Sequence, residues 1–206
     1  GFAFVGRFAR CDGKVEQRLA MISLPGEPVI YVERLRALAD VDVKEIATGI
    51  IAVLNEDARP LTRNERNVWT AAGQQIMGGA AKPPAKLHVW KTDWVNLDDR
   101  LGLVAKASGQ MAYLESHAYE RARLQQELVA NYLPDVGPRR AGEVIAESAL
   151  AIVPRARHTR GLKLRVEHFN DDGVAVWFGG WLVAVNLGET EITGQAFDRS
   201  FRLAPL

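Results

Sequence analysis

The sequence predicts an all-β fold, an antiparallel β-sandwich with at most one or two short helices, and three features point to it. Turn signals recur at strand-length intervals: Asp12-Gly13, Pro25-Gly26, Ser108-Gly109, Asp172-Gly173, Gly179-Gly180 and Leu187-Gly188. The runs between them are rich in β-branched and aromatic residues, which suit a pleated, half-buried surface. With 206 residues, 48% of them apolar, the chain is long enough to bury a sizeable core. One β-sandwich region over 1–206 is expected, with a division near 155–162 into a larger sandwich and a small C-terminal meander as the variant.

Taken in order, 2–10 (FAFVGRFAR) alternates around Phe2, Phe4 and Phe8 and leads through Asp12-Gly13 into 15–24, a hairpin. After Pro25-Gly26, 28–35 (PVIYVERL) reads as a third strand. The span 34–54 contains helix formers, but Val41 and Val43 alternate and 49–54 is a continuous apolar run, so strand is chosen. A polar loop occupies 55–67, followed by a short strand at Val68-Trp69-Thr70. The Gly- and Pro-rich run 78–86 (GGAAKPPAK) suits a crossing between sheets or subdomains. Asp98-Asp99-Arg100 is a turn into a strand at 101–107. Residues 115–133 are compositionally helical yet alternate as a strand that Pro134 would end, and both readings stay open. A loop follows at 135–140, then strands at 144–153, 162–169, 174–178, 181–187 and 192–203.

Composition excludes several function classes. A net charge of +1 without blocks of like charge supplies no field for a polyanion, so no nucleic-acid partner is expected. No run approaches the ~20 apolar residues of a membrane span, and no membrane association is expected. The single cysteine, Cys11, excludes an internal disulfide framework. The start carries neither a basic leader nor a signal-like apolar stretch, and Gly1 in place of Met reads as an excised segment.

The stretch 87–105 (LHVWKTDWVNLDDRLGLVA) is the candidate site. At a period of two it places His88, Trp90, Trp94, Asn96 and Asp98 on one side, an aromatic and polar face suited to the stacking and hydrogen bonding of a sugar. The competing reading is that the two indoles are buried, as large aromatic residues usually are. Trp177 and Trp181, flanking Gly179-Gly180, are expected to pack in the core or pair across a hairpin.

Three pieces resemble the C-terminal β-sandwich regions of large bacterial glycoside hydrolases and polysaccharide lyases. They are Trp94-Val95-Asn96-Leu97-Asp98-Asp99-Arg100-Leu101-Gly102, Ala141-Gly142-Glu143-Val144-Ile145 and Leu182-Val183-Ala184-Val185-Asn186-Leu187-Gly188. The resemblance implies a sugar-processing context and a supporting or glycan-binding role. It also implies a catalytic domain elsewhere in the same polypeptide as partner, and a secreted or periplasmic location.

Little catalytic chemistry is legible. Asp98 and Asp99 are adjacent and point apart on a strand, so they cannot flank a glycosidic bond at ~5–9 Å. His117, Tyr119 and Arg121, with Arg123, would share a face if extended, and supply the acid, base and carboxylate-neutralising groups of a lyase; a free-standing β-sandwich enzyme, lyase or sugar epimerase, is the catalytic alternative, and a purely structural interaction module the other. The histidines lack zinc spacing, and no metal or other cofactor is expected. Calcium on Asn96, Asp98 and Asp99 is the marginal variant, without the usual D-x-D-x-D-G pattern. A far-ultraviolet circular dichroism spectrum of the β type, without the helical double minimum, is the expected outcome for the purified chain.

Overall fold

The computed structural model describes residues 3–24, 28–49, 52–53, 66–77, 86–117, 124–154 and 162–205. Among them are eighteen strands and no helix: β1 (Ala3–Arg10), β2 (Val15–Ser23), β3 (Val29–Ala37), β4 (Val41–Thr48), β5 (Ala52–Val53), β6 (Arg66–Thr70), β7 (Gly73–Met77), β8 (Lys86–Trp90), β9 (Trp94–Leu97), β10 (Leu101–Ala107), β11 (Gln110–His117), β12 (Leu124–Arg139), β13 (Val144–Pro154), β14 (Arg165–His168), β15 (Gly173–Phe178), β16 (Trp181–Asn186), β17 (Ile192–Ala196) and β18 (Arg199–Leu203). The all-β, antiparallel expectation holds.

A central eight-stranded sheet runs β1-β2-β3-β13-β10-β9-β6-β7. A second sheet, β4-β12-β11-β8 with β5 beside β12, covers one of its faces. Between the two lie Leu19, Tyr31, Leu103 and Leu150 of the central sheet and Met111, Tyr113 and Leu128 of the second. On the opposite face Ile30, Val32, Val104 and Ala149 meet Val174, Val176, Phe178 and Val185 of a third sheet, β14-β15-β16. The central sheet is thus covered twice. This explains why β2, β3 and β13 are buried almost continuously rather than at alternate positions. The hairpin β17-β18 attaches through Phe169, whose ring stacks on Phe201 at 5.5 Å. A Cβ at Gly173 or Gly194 would overlap the Phe169 ring, so both positions need the missing side chain.

Several local expectations are corrected. The ambiguous 115–133 span is strand wherever it is described, and β12 runs through Pro134 to Arg139 instead of stopping there. Beyond Tyr132 it pairs only with β4, so Pro134 sits where the strand has one free edge. An irregularity between Pro134 and Gly137, with positive φ at Asp135 and Gly137, takes up the lost regularity. The span 192–203 is two strands, because Phe197 and Asp198 both adopt left-handed conformations and turn the chain without a glycine. Trp177 and Trp181 are not a cross-strand pair: the two-residue Gly179-Gly180 turn sets Trp177 opposite Leu182 and Trp181 opposite Phe178. The run 78–85 lies outside the described residues; the strands before and after it, β7 and β8, belong to different sheets.

Charged side chains join the central and third sheets. Arg7, Arg18, Arg34 and Glu147 are in direct cross-strand register over β1, β2, β3 and β13. Three arginines in a row repel one another, and carboxylates from both layers offset this. Glu16, 2% exposed, pairs with Arg7 and with Arg18, the latter at 2.5 Å. Arg34, 4% exposed, donates through Nε to Glu147 at 2.5 Å and through Nη1 to the Asp171 carbonyl and, at 3.1 Å, to the Asp172 carboxylate. Arg18 Nη1 donates to the Leu187 carbonyl at 2.6 Å. The turns after β14 and β16 are therefore held by guanidinium groups rising from the central sheet. Replacing Arg34 by Met takes the nearer cation from Glu147 and from Asp172, which keep His168 and Arg36 and some contact with water; a loss of about 2–3 kcal/mol is expected in urea denaturation, partly recovered in the Arg34→Met/Glu147→Gln double variant.

Candidate functional site

The face proposed for 87–105 is not continuous. β8 is an edge strand of the second sheet, β9 belongs to the central sheet, and residues 91–93 carry the chain between them. There Thr92 Oγ1 donates to the Trp94 carbonyl at 2.8 Å and accepts the Trp94 N–H at 3.4 Å. Trp90 faces the core between the first two sheets, 8% exposed, with Nε1 donating to Gln75 Oε1 at 3.1 Å. Its ring lies 6.2 Å from Tyr113 and 6.5 Å from the stacked, half-buried His88. Trp94 is half-buried against the other core, on the far face of the central sheet. The two indoles do not share a platform. Only His88 and Trp90 come together.

Asn96 and Asp98 are engaged in the turn between β9 and β10. Asn96, 2% exposed, accepts the Asp99 N–H on Oδ1 at 2.9 Å, and Asp98 accepts the Asn67 N–H on Oδ1 at 2.7 Å. Asp98 and Asp99 both have positive φ, which short polar side chains tolerate through local hydrogen bonds. Among the described residues no group of three or more His, Cys, Asp or Glu is placed to hold a metal. His117 ends β11 opposite Leu124, while Tyr119, Arg121 and Arg123 lie outside the described residues.

The structure assembles a different set of groups in a cleft between the central and third sheets. Its floor is Val32 of β3 and Ala149 of β13, its roof Val166 of β14 and Val174 of β15, and its volume is about 280 Å³. Lys106, Ser108, Glu147 and His168 line the same cleft. Ala149 is opposite Val32 on one side and Lys106 on the other, so a methyl group stands where a larger residue would fill the space. Ser108 brackets the Glu147 backbone: its hydroxyl donates to the Glu147 carbonyl at 3.1 Å and accepts the Glu147 N–H at 2.9 Å. The Glu147 carboxylate is shared by Arg34 at 2.5 Å and His168 Nε2 at 3.5 Å. Lys106 is exposed and has no ion-pair partner among the described residues. Sequence reasoning missed this set because its members lie on three strands and a turn, without a local motif; only the register brings them together.

A second polar group is sealed in the first core. Glu33, 2% exposed, accepts from the Tyr31 hydroxyl and, at 2.9 Å, from Gln17 Nε2, whose Oε1 accepts from Arg10 Nε at 2.8 Å. Burial, then the Glu33 charge, pushes the Tyr31 hydroxyl far above the ordinary tyrosine value of 10.0. Such a tyrosine stays neutral in the folded chain at pH values where the unfolded chain ionises. Its contribution to stability is full below pH 10 and declines as pH rises above that value. The slope of unfolding free energy against pH above 10 is expected to be steeper in the parent than in Tyr31→Phe. Trp90→Ala is expected to cost about 3–5 kcal/mol through lost burial and the cavity left behind, and Trp94→Ala less; thermal midpoints check both.

No family model matches the sequence, and no curated protein matches it. Among solved structures the chain is similar to one named the heparinase III BT4657 gene product, at 11% identity and a TM-score of 0.42. The match covers 89% of this chain and 25% of the other, so the chain spans about a quarter of that protein's length.

Proposed function

We propose that this chain is a non-catalytic β-sandwich region of a carbohydrate-active enzyme, supporting a catalytic domain of the same polypeptide and contributing to glycan binding. The observation that carries the reading is the use made of the residues in the family-like pieces. Asn96, Asp98 and Asp99 form a turn through their side chains and left-handed backbones. Asn186 joins the end of β16 to the far end of the chain: its amide donates to the carbonyls of Thr190 and Ala204 at 2.8 Å each, and its Oδ1 accepts the Gly188 N–H at 2.7 Å. Residues whose polar atoms are engaged in this way support a scaffold, and scaffold residues do not transfer protons. The ladder of Arg7, Arg18 and Arg34 supports it further, since Arg18 and Arg34 tie turns of the third sheet to the central one, as a supporting scaffold requires.

The purified chain is expected to produce no unsaturated uronate, followed by absorbance, from uronic-acid polysaccharides, and to be retarded in a gel laced with at least one polysaccharide. Turnover that disappears in Tyr119→Phe would overturn the reading in favour of the lyase one.

A further inference from the structure

We infer that β1 is a self-association edge, by which the chain pairs with a second copy through antiparallel β1 strands related by a two-fold axis at Gly6. The inference does not depend on the carbohydrate reading. β1 ends the central sheet and pairs on one side only, with β2. Natural sheet edges are blunted by shortness, charge or a bulge. The edge strands β7 and β8 have five residues each, and β4 carries Asp42, Lys44 and Glu45 at exposed positions. β1 instead runs eight residues in unbroken register with β2 and exposes Phe4, Val5 and Phe8. Its charges are turned inward: Arg7 pairs with Glu16 and Glu189, and Arg10 lies over the Phe8 ring at 5.6 Å.

The exposed rings have a place in the layering. Phe4 and Phe8 stand opposite Met21 and Gln17, on the face that the second sheet covers further in. The edge strand of that sheet, β4, packs Val43 and Ile46 on Val15 and Leu35. β1 projects past it, with Phe4 46% and Phe8 38% exposed.

The sequence of the strand names a second copy as the occupant. An antiparallel partner centred on Gly6 sets Phe4 against Phe8 of that copy, Val5 against Arg7 and Ala3 against Ala9. Two aromatic pairs form and no arginine opposes another, whereas centring on Arg7 would oppose like charges. Gly6 suits the axis. A Cβ there would lie 2.8 Å from Phe8 Cε2 and 3.0 Å from Phe4 Cζ, so both rings already lie over it and the two backbones meet without side chains between them. The contact is isologous and closes at two copies. At ~150–250 Å² per ring, the two rings hold roughly 170 Å² exposed in each copy, a small part of the ~1,200 Å² that a stable interface buries, so the dimer is weak and depends on concentration.

Sedimentation equilibrium of the whole chain tests this, in reductant so that the exposed Cys11 cannot link copies. The mass is expected to rise with concentration from that of one chain towards that of two, and no further. Amide hydrogen exchange over Ala3–Ala9 should slow as concentration rises, and exchange in β7 should not. Phe4→Lys/Phe8→Lys places ammonium groups opposite one another and should weaken dimerisation roughly 10-fold or more. Phe4→Lys/Phe8→Glu opposes unlike charges in the same register and should recover most of the loss. Both variants should keep the β-type circular dichroism spectrum, because the rings are exposed; the exchange measurement needs no variant. A chain monomeric at every concentration would overturn the proposal and leave the edge to a different polypeptide. Growth past the dimer, unchanged exchange in β1, undiminished association in Phe4→Lys/Phe8→Lys, or no recovery in Phe4→Lys/Phe8→Glu would each overturn it as well.

Discussion

The architecture depends on how three arginines in one cross-strand row are accommodated. Arg7, Arg18 and Arg34 lie side by side on one face of the central sheet, and such a row is unfavourable unless anions stand among them. Glu16 and Glu147 come from the central sheet itself. The remaining partners, the Asp171 and Leu187 carbonyls and the Asp172 and Glu189 carboxylates, come from the segments that follow β14 and β16. Docking of the third sheet is therefore a condition for burying these charges as well as a source of apolar contact. Without it, Arg34 would lose acceptors that a buried guanidinium requires.

That docking has a geometric consequence. The third sheet is fixed at one end by the guanidinium contacts and along its middle by Val174, Val176 and Phe178. Beside these contacts, Ala149 is too small to close the gap beneath Val166, and the cleft remains. The same carboxylate that receives Arg34 also lines this opening. The pair that secures the layer thus also places Glu147 beside His168 at the opening.

The aromatic residues divide between the two cores. Trp90 and Tyr113 belong to the layer between the first two sheets, and Trp94 to the layer between the first and third. A central sheet with both faces covered has two apolar sides, so aromatic residues on either parity are buried. The usual inference from alternation to one wet and one dry face fails for such a sheet. The aromatic face of 87–105 was derived from that alternation, and it divides at the sheet crossing.

By itself the sequence determined the strand content, the antiparallel hairpins and most turn positions. These depend on local chemistry: positive φ at Gly13, Gly179 and Gly180, side-chain hydrogen bonds at Asp98, and β-branched runs between them. The turn at Phe197-Asp198 and the passage of β12 through Pro134 were not legible, because neighbouring strands and an irregular register override the local preference. Tertiary structure alone decided which sheet each strand joins, and hence that His88 and Trp90 meet while Trp94 faces away. It also alone decided that Lys106, Glu147 and His168 surround one cleft. Pairing between strands distant in sequence follows from burying all three layers together, and no window of the chain contains that requirement.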